Sequence, residues 1–238
     1  MPALDDHPLR YTLNSELHAR PFPSLTAPHV AAYLAVRPLG EAARRDRSVD
    51  LQQLRDLLAH YGAPLPAEDA THYFGPMGKY TLKWEQHTEF VTYTVFLDQL
   101  GQRPFDPAEF DVFPQDWRAG LNAQRITSIL LRLVPRPPQD AQIADTLQDW
   151  FVPESLAVAS VLEDAAVIAS DFRIDPAGHM RMAVFASEGT GSRRLGRIVQ
   201  RLCEIETYKS MSMLGFAKVR EFAGQLDRID AELNDLMA

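Results

Sequence analysis

Cysteine is all but missing. Cys203 is the single one in 238 residues, so no intrachain disulfide can form and nothing points to an oxidising compartment. An excess of basic residues is missing too: 32 acidic side chains against 24 basic ones leave a formal net charge of -8, which argues against the non-specific nucleic-acid binding that a cationic surface supplies. No stretch reaches the ~18 consecutive apolar residues of a membrane span. The start, Met1-Pro2-Ala3-Leu4-Asp5-Asp6, lacks the basic flank and apolar run of a signal peptide. No Gly-x-Ser-x-Gly elbow occurs, and Gly189-Thr190-Gly191-Ser192 is not followed by the Lys-Ser/Thr of a nucleotide phosphate loop. These absences lead us to expect a cytoplasmic protein without a serine nucleophile. What is present is an ordinary globular composition, 46% hydrophobic, enough for one large or two small cores.

The most informative stretch is Lys83-Trp84-Glu85-Gln86-His87-Thr88-Glu89-Phe90. Tyr80, Leu82 and Trp84 alternate with Thr81, Lys83 and Glu85 as in a half-buried strand, and Val91, Tyr93 and Val95 repeat the pattern. One strand through both runs would be roughly 60 Å long, so the chain must turn near residues 86–88. That turn has no Gly, Asn or Pro, and gathers Glu85, His87 and Glu89 instead.

Along the chain, residues 30–36 read as a buried strand, 46–61 as an amphipathic helix with Ser48 as cap and Val49, Leu51, Leu54, Leu57 and Leu58 inward, and three strands follow at 71–74, 79–85 and 89–97. Gly75-Pro76 is expected to break the first of them. A second strand (125–134), a helix (141–151) and three more strands (156–162, 165–174, 179–186) repeat the order. The expectation is an α+β fold of two strand-helix-three-strand units, 28–98 and 125–187, with a mostly antiparallel sheet. Paired units of this kind resemble, in pattern only, the glyoxalase and extradiol-dioxygenase superfamily.

We place a domain boundary near residue 187, with a helical extension over 188–238. There Leu195, Ile198, Leu202 and Ile205 form one stripe, Gly215 is read as an interruption, and residues 219, 222, 226, 229, 233 and 236 are apolar at spacings of 3 and 4. So narrow a seam on a helix that runs uncapped to Ala238 needs a partner, and self-association is expected.

Four segments, Asn14-Ser15-Glu16-Leu17-His18-Ala19-Arg20-Pro21-Phe22, the Lys83 to Phe90 stretch, Asp171-Phe172-Arg173-Ile174-Asp175, and the helix from Gly196 to Tyr208, together resemble an uncharacterised bacterial family of predicted membrane-anchored proteins, a domain of unknown function. The resemblance implies longer relatives with membrane segments beyond the part present here. It supplies no reaction.

Candidate ligand-binding residues are therefore Glu16, His18, Arg20, Trp84, Glu85, His87, Glu89, Arg173, Arg197 and Arg201. Among them His18, Glu85, His87 and Glu89 are the metal candidates, because imidazole and carboxylate suit Zn, Mn or Fe. The competing reading has Glu85 and Glu89 bonding backbone donors or arginines and His87 capping the turn. Arg193, Arg197 and Arg201 align at i, i+4 and i+8 near a helix start. Cations there oppose the macrodipole by about 0.3–1 kcal/mol each, which an anion would relieve; otherwise they pair with acidic residues such as Glu204. Glu206, Arg20 and Arg173 suit structural pairing, a helix Glu facing a strand Arg, unless Arg173 and Glu85 share a cleft for a small carboxylate or phosphate.

The function expected is a ligand-binding or interaction domain at the cytoplasmic face of a membrane, attached through a segment outside this chain. It would take a small anionic ligand and no nucleic acid. The alternative is an enzyme that uses a divalent metal as cofactor and acts on a small anionic substrate.

Overall fold

The computed structural model describes residues 5–8, 10, 22–39 and 46–237, with the backbone alone at positions 231 and 237. Eight strands form a single sheet: β1 (His29–Pro38), β2 (His72–Met77), β3 (Tyr80–Gln86), β4 (Val91–Leu97), β5 (Ala123–Pro135), β6 (Ala157–Val161), β7 (Ala166–Ser170) and β8 (Met180–Ala186). The α-helices whose bounds fall among the described residues are α1 (Ser48–His60), α2 (Gln115–Gly120), α3 (Asp140–Trp150) and α4 (Ser192–Met237). The fold is α+β, as the periodicities indicate.

The spatial order is β2-β3-β4-β1-β5-β8-β7-β6. Each strand-helix-three-strand run thus supplies one half of the sheet, and the halves meet at β1 and β5, which pair antiparallel. They differ in one respect. β1 runs antiparallel to β4, whereas β5 runs parallel to β8.

β1 is central, and its run from Val30 to Val36 is buried at every position, as a strand covered on both faces requires. Ala32, Leu34 and Val36 point to one face, packed with Leu54, Leu57 and Leu58 of α1 and Ile143 and Leu147 of α3. Ala31, Tyr33 and Ala35 point to the other, under Leu195, Ile198, Val199 and Cys203 of α4. The sheet is a middle layer between helices.

Several local expectations need correction. Gly75-Pro76 does not break β2, which continues to Met77, because β2 is an edge strand and the missing proline N–H is not needed there. Val49 is exposed, and Asp50 takes a buried place in α1, its carboxylate accepting from Gln86 Nε2 at 2.8 Å. Ser48 is the first helical residue rather than the cap; Asp46 Oδ1 accepts its N–H at 2.9 Å. Gly215 leaves α4 unbroken, since a lone glycine costs a helix only about 1 kcal/mol. Ile205, expected on the packed stripe, is exposed, because the buried face of α4 passes through Val199 and Cys203 instead.

Candidate functional site

Period-two geometry on β3 sends Leu82 and Trp84 toward α1 and α3, and Lys83 and Glu85 to the opposite face. An alternating strand ordinarily leaves its polar face in water. Here α4 roofs that face, so Lys83 and Glu85 are buried too. A charge removed from water needs a partner, and Lys83 Nζ lies 2.5 Å from Glu85 Oε2. Strand register extends the polar row: Lys83 sits opposite Thr94 on β4, and Thr94 opposite Tyr33 on β1. The Tyr33 hydroxyl meets Thr207 Oγ1 of α4 at 2.7 Å. Thr207 gives its own proton to the Cys203 carbonyl at 2.9 Å, so Tyr33 is the donor.

Above this row lies a cavity of about 530 Å³. Its floor is Lys83, Glu85, Thr92, Thr94 and Tyr33, with Phe96 and Val199 as apolar wall. The turn between β3 and β4 supplies His87 and Phe90, which are stacked at 4.4 Å between ring centroids; the His87 N–H also donates to the Phe90 carbonyl at 2.9 Å. This aromatic closure replaces the glycine or asparagine that such a turn ordinarily uses. Phe90 in turn meets the Tyr208 ring edge-on at 5.7 Å.

α4 contributes the rim through Arg197, Gln200, Arg201 and Glu204. The Arg197 guanidinium lies 4.7 Å from the centre of the Phe22 ring, a cation–π distance, and forms no ion pair among the described residues. Arg201 Nε is 3.9 Å from Glu204 Oε2. Gln200 Nε2 donates to Glu204 Oε1 at 2.6 Å, and Gln200 Oε1 is a buried acceptor with no hydrogen-bond partner among the described residues.

The segment from Phe22 to Leu25 closes one end. Leu25 N–H donates to the Ser192 carbonyl at 3.0 Å, and Ser24 Oγ donates to Ser192 Oγ at 2.6 Å. The crossing is close because Gly196 lacks a side chain: a Cβ there would lie 1.6 Å from the Pro23 carbonyl oxygen.

Burial raises the Tyr33 phenol well above its usual range. It also pushes the Cys203 thiol up to about 12, against the opposing pull of Lys83. At neutral pH Cys203 is a thiol rather than a thiolate, so it offers no nucleophile. What the arrangement can do is bind. Among the described lining residues three cations, Lys83, Arg197 and Arg201, face two carboxylates, Glu85 and Glu204, beside aromatic walls.

Of the residues singled out in the sequence, Glu85, His87, Arg197 and Arg201 come together around this cavity. Glu16, His18 and Arg20 lie outside the described residues. Trp84 is buried on the other face of the sheet, and Glu89 is exposed and does not line the cavity. Arg173 does not share a cleft with Glu85; its Nε donates to Ser155 Oγ at 2.7 Å. In that motif Asp171 is the structural centre, accepting from the N–H groups of Val152 and Arg173 at 3.0 and 3.2 Å and from Arg181 at 2.6 Å. Glu206 pairs with Lys209 and Ser210 on its own helix, at 2.5 and 3.0 Å, and among the described residues not with a strand arginine. Arg194 reaches Glu163 at 3.8 Å. Among the described residues no group of three or more His, Cys, Asp or Glu side chains is arranged to hold a metal ion.

Lys83, Tyr33, Thr207 and Phe22 are further residues of the site, beyond the candidates drawn from the sequence. Lys83 carried a signal, its i, i+2 relation to Glu85; the others join the site only through the sheet order and the position of α4.

No curated protein matches the chain. No solved structure matches it either. A family model described as "Protein of unknown function (DUF3422)" matches residues 5–238, and the chain belongs to that family.

Proposed function

We propose that this is a ligand-binding domain whose cavity between the β3–β4 hairpin and α4 takes a small organic anion with an aromatic or otherwise apolar body. The observation that carries the reading is Arg197: a rim guanidinium without an ion-pair partner among the described residues, stacked on Phe22 and beside a cavity walled by Phe90, Phe96 and Val199. A planar guanidinium suits a carboxylate or phosphate, and the buried apolar walls suit the remainder of the ligand. The surplus of one cation among the described lining residues contrasts with the net charge of -8 for the whole chain and favours an anion at this place. Gln200 Oε1 adds an acceptor for a donor group on the ligand.

The test is a thermal-shift survey of aromatic carboxylates, aliphatic carboxylates and inorganic phosphate on the purified chain. Stabilisation by aromatic carboxylates, abolished in Arg197→Ala, is expected. Absence of any response across the set, or a response that Arg197→Ala leaves intact, would overturn the proposal.

A second reading, a metal-dependent enzyme acting on a small anion, is favoured by Glu85 and His87 lining this same cavity. Elemental analysis of metal-reconstituted protein beside His87→Ala separates the two readings: about one equivalent of a transition metal lost in the variant supports the enzyme. Among the described residues no helix is long and apolar enough to cross a membrane. The resemblance of the four motifs to membrane-anchored proteins supports a place at a cytoplasmic membrane face.

A further inference from the structure

After Tyr208 the helix α4 leaves the sheet, and from residue 212 onward every described side chain on it is exposed. Its surface is not uniformly polar. Val219, Phe222, Leu226, Ile229, Leu233 and Leu236 are all at least half exposed and recur at spacings of 3 and 4, the seam of a two-helix coil. Carried backward, the same spacing passes through Gly215, Ser212, Tyr208 and Ile205. The seam is therefore bulky throughout its C-terminal half and dips to small residues at Ser212 and Gly215 in its N-terminal half.

Charge divides the same way. Residues 205–220 hold Lys209, Lys218 and Arg220 against Glu206, whereas residues 221–236 hold Glu221, Asp227, Asp230, Glu232 and Asp235 against Arg228. The first half is net positive by two and the second net negative by four.

We infer that α4 pairs with the α4 of a second copy of this chain in antiparallel orientation, about a two-fold axis between Val219 and Phe222. In that register Val219 meets the partner's Phe222, Gly215 meets the partner's Leu226, and Ser212 meets the partner's Ile229. At the Gly215 and Ser212 layers a small residue faces a large one, so those layers fill. A parallel pair would stack Gly215 on Gly215 and Ser212 on Ser212, leaving hollow layers, and would lay like-charged halves side by side. The antiparallel pair brings opposite charges together and sets Lys209 against the partner's Asp230.

The far end of the seam is prepared as well. Ile205 is exposed, three residues on from Leu202, which lines an apolar hollow of about 190 Å³ with Val158, Phe172 and Met182, and the partner's Leu236 arrives opposite Ile205. Tyr208, on the lip of the anion cavity, meets the partner's Leu233, so dimerisation narrows the cavity mouth. The pairing itself does not depend on the anion reading.

The test combines sedimentation with distance measurement between nitroxide labels on Gly224→Cys and, separately, Asn234→Cys. Both positions are exposed, and native Cys203 is buried, which leaves only the introduced thiol to label. Circular dichroism checks that each variant keeps its helix. A dimer is expected, with label separations along the axis of about 10 Å at 224 and about 40 Å at 234, from 1.5 Å of rise per residue. Equal separations at the two sites, the mark of a parallel pair, or a monomer at high protein concentration would overturn the inference.

Discussion

Replacing Gly196 by alanine tests how the cavity is closed. On helix propensity alone, Gly196→Ala stabilises a helix interior by about 1 kcal/mol. The tertiary setting predicts the opposite. The new Cβ would lie 1.6 Å from the Pro23 carbonyl oxygen and 2.7 Å from its carbon; both are backbone atoms, so no rotamer change relieves the overlap. The segment from Phe22 to Leu25 must move by roughly 2 Å to restore ordinary contact distances. That movement breaks the Leu25 N–H bond to Ser192 and the Ser24–Ser192 hydroxyl pair, at about 1 kcal/mol each, and lifts Leu25 from its buried place, worth about 2 kcal/mol. Set against the propensity gain, the net loss is about 3 kcal/mol, which for a chain of this size lowers Tm by about 6–12 °C. Urea unfolding followed by circular dichroism measures it directly. A Gly196→Ala protein as stable as its parent, or more stable, would refute the reasoning.

Three further outcomes follow from buried groups. Lys83→Met should cost about 1.5–3 kcal/mol, the worth of a hydrogen bond to a charged group, since it removes the lysine that meets buried Glu85; the double variant with Glu85→Gln should recover part of that loss in urea unfolding. His179 is held below its ordinary 6.5 chiefly by burial, so the unfolded chain accepts a proton that the folded chain refuses. Stability should therefore fall as pH drops through about 6.5 toward the folded value, and His179→Gln should flatten that part of the urea-midpoint profile. Cys203, with its thiol pushed up to about 12, should be inert to a thiol-specific chromophoric reagent at pH 8 in the native protein and react at once in denaturant.

Much of the fold is legible in the sequence because it rests on periodicity. The alternation on β3 and β4, the apolar run of β1 and the seam on α4 are each written in consecutive residues. Sheet order is not, and it decides what the polar residues do. Lys83 and Glu85 look like the solvent face of a strand until α4, more than a hundred residues later, is laid over them.

Period two also bears on Trp84. Its neighbours Lys83 and Glu85 face the cavity, so Trp84 must face away, although it belongs to the same motif. Arg197 and Arg201 were visible as a helical stripe. That their stripe faces the β3–β4 hairpin depends on Gly196, whose close contact with Pro23 no local pattern announces. Arg173 was given the wrong partner for the same reason, since Ser155 comes near only once the strands are placed; Glu206 is different, because Lys209 lies three residues on along the same helix and the pair is local.

The central claim is that Arg197 anchors an anion in the cavity between β3, β4 and α4. Isothermal titration calorimetry of the full chain with benzoate, parent beside Arg197→Ala, tests it most directly. A charge-assisted hydrogen-bonded pair is worth about 1.5–3 kcal/mol, so the account predicts saturable one-to-one binding, weakened about ten- to hundredfold in the variant. No measurable heat with the parent, or equal affinity in the two proteins, would contradict it.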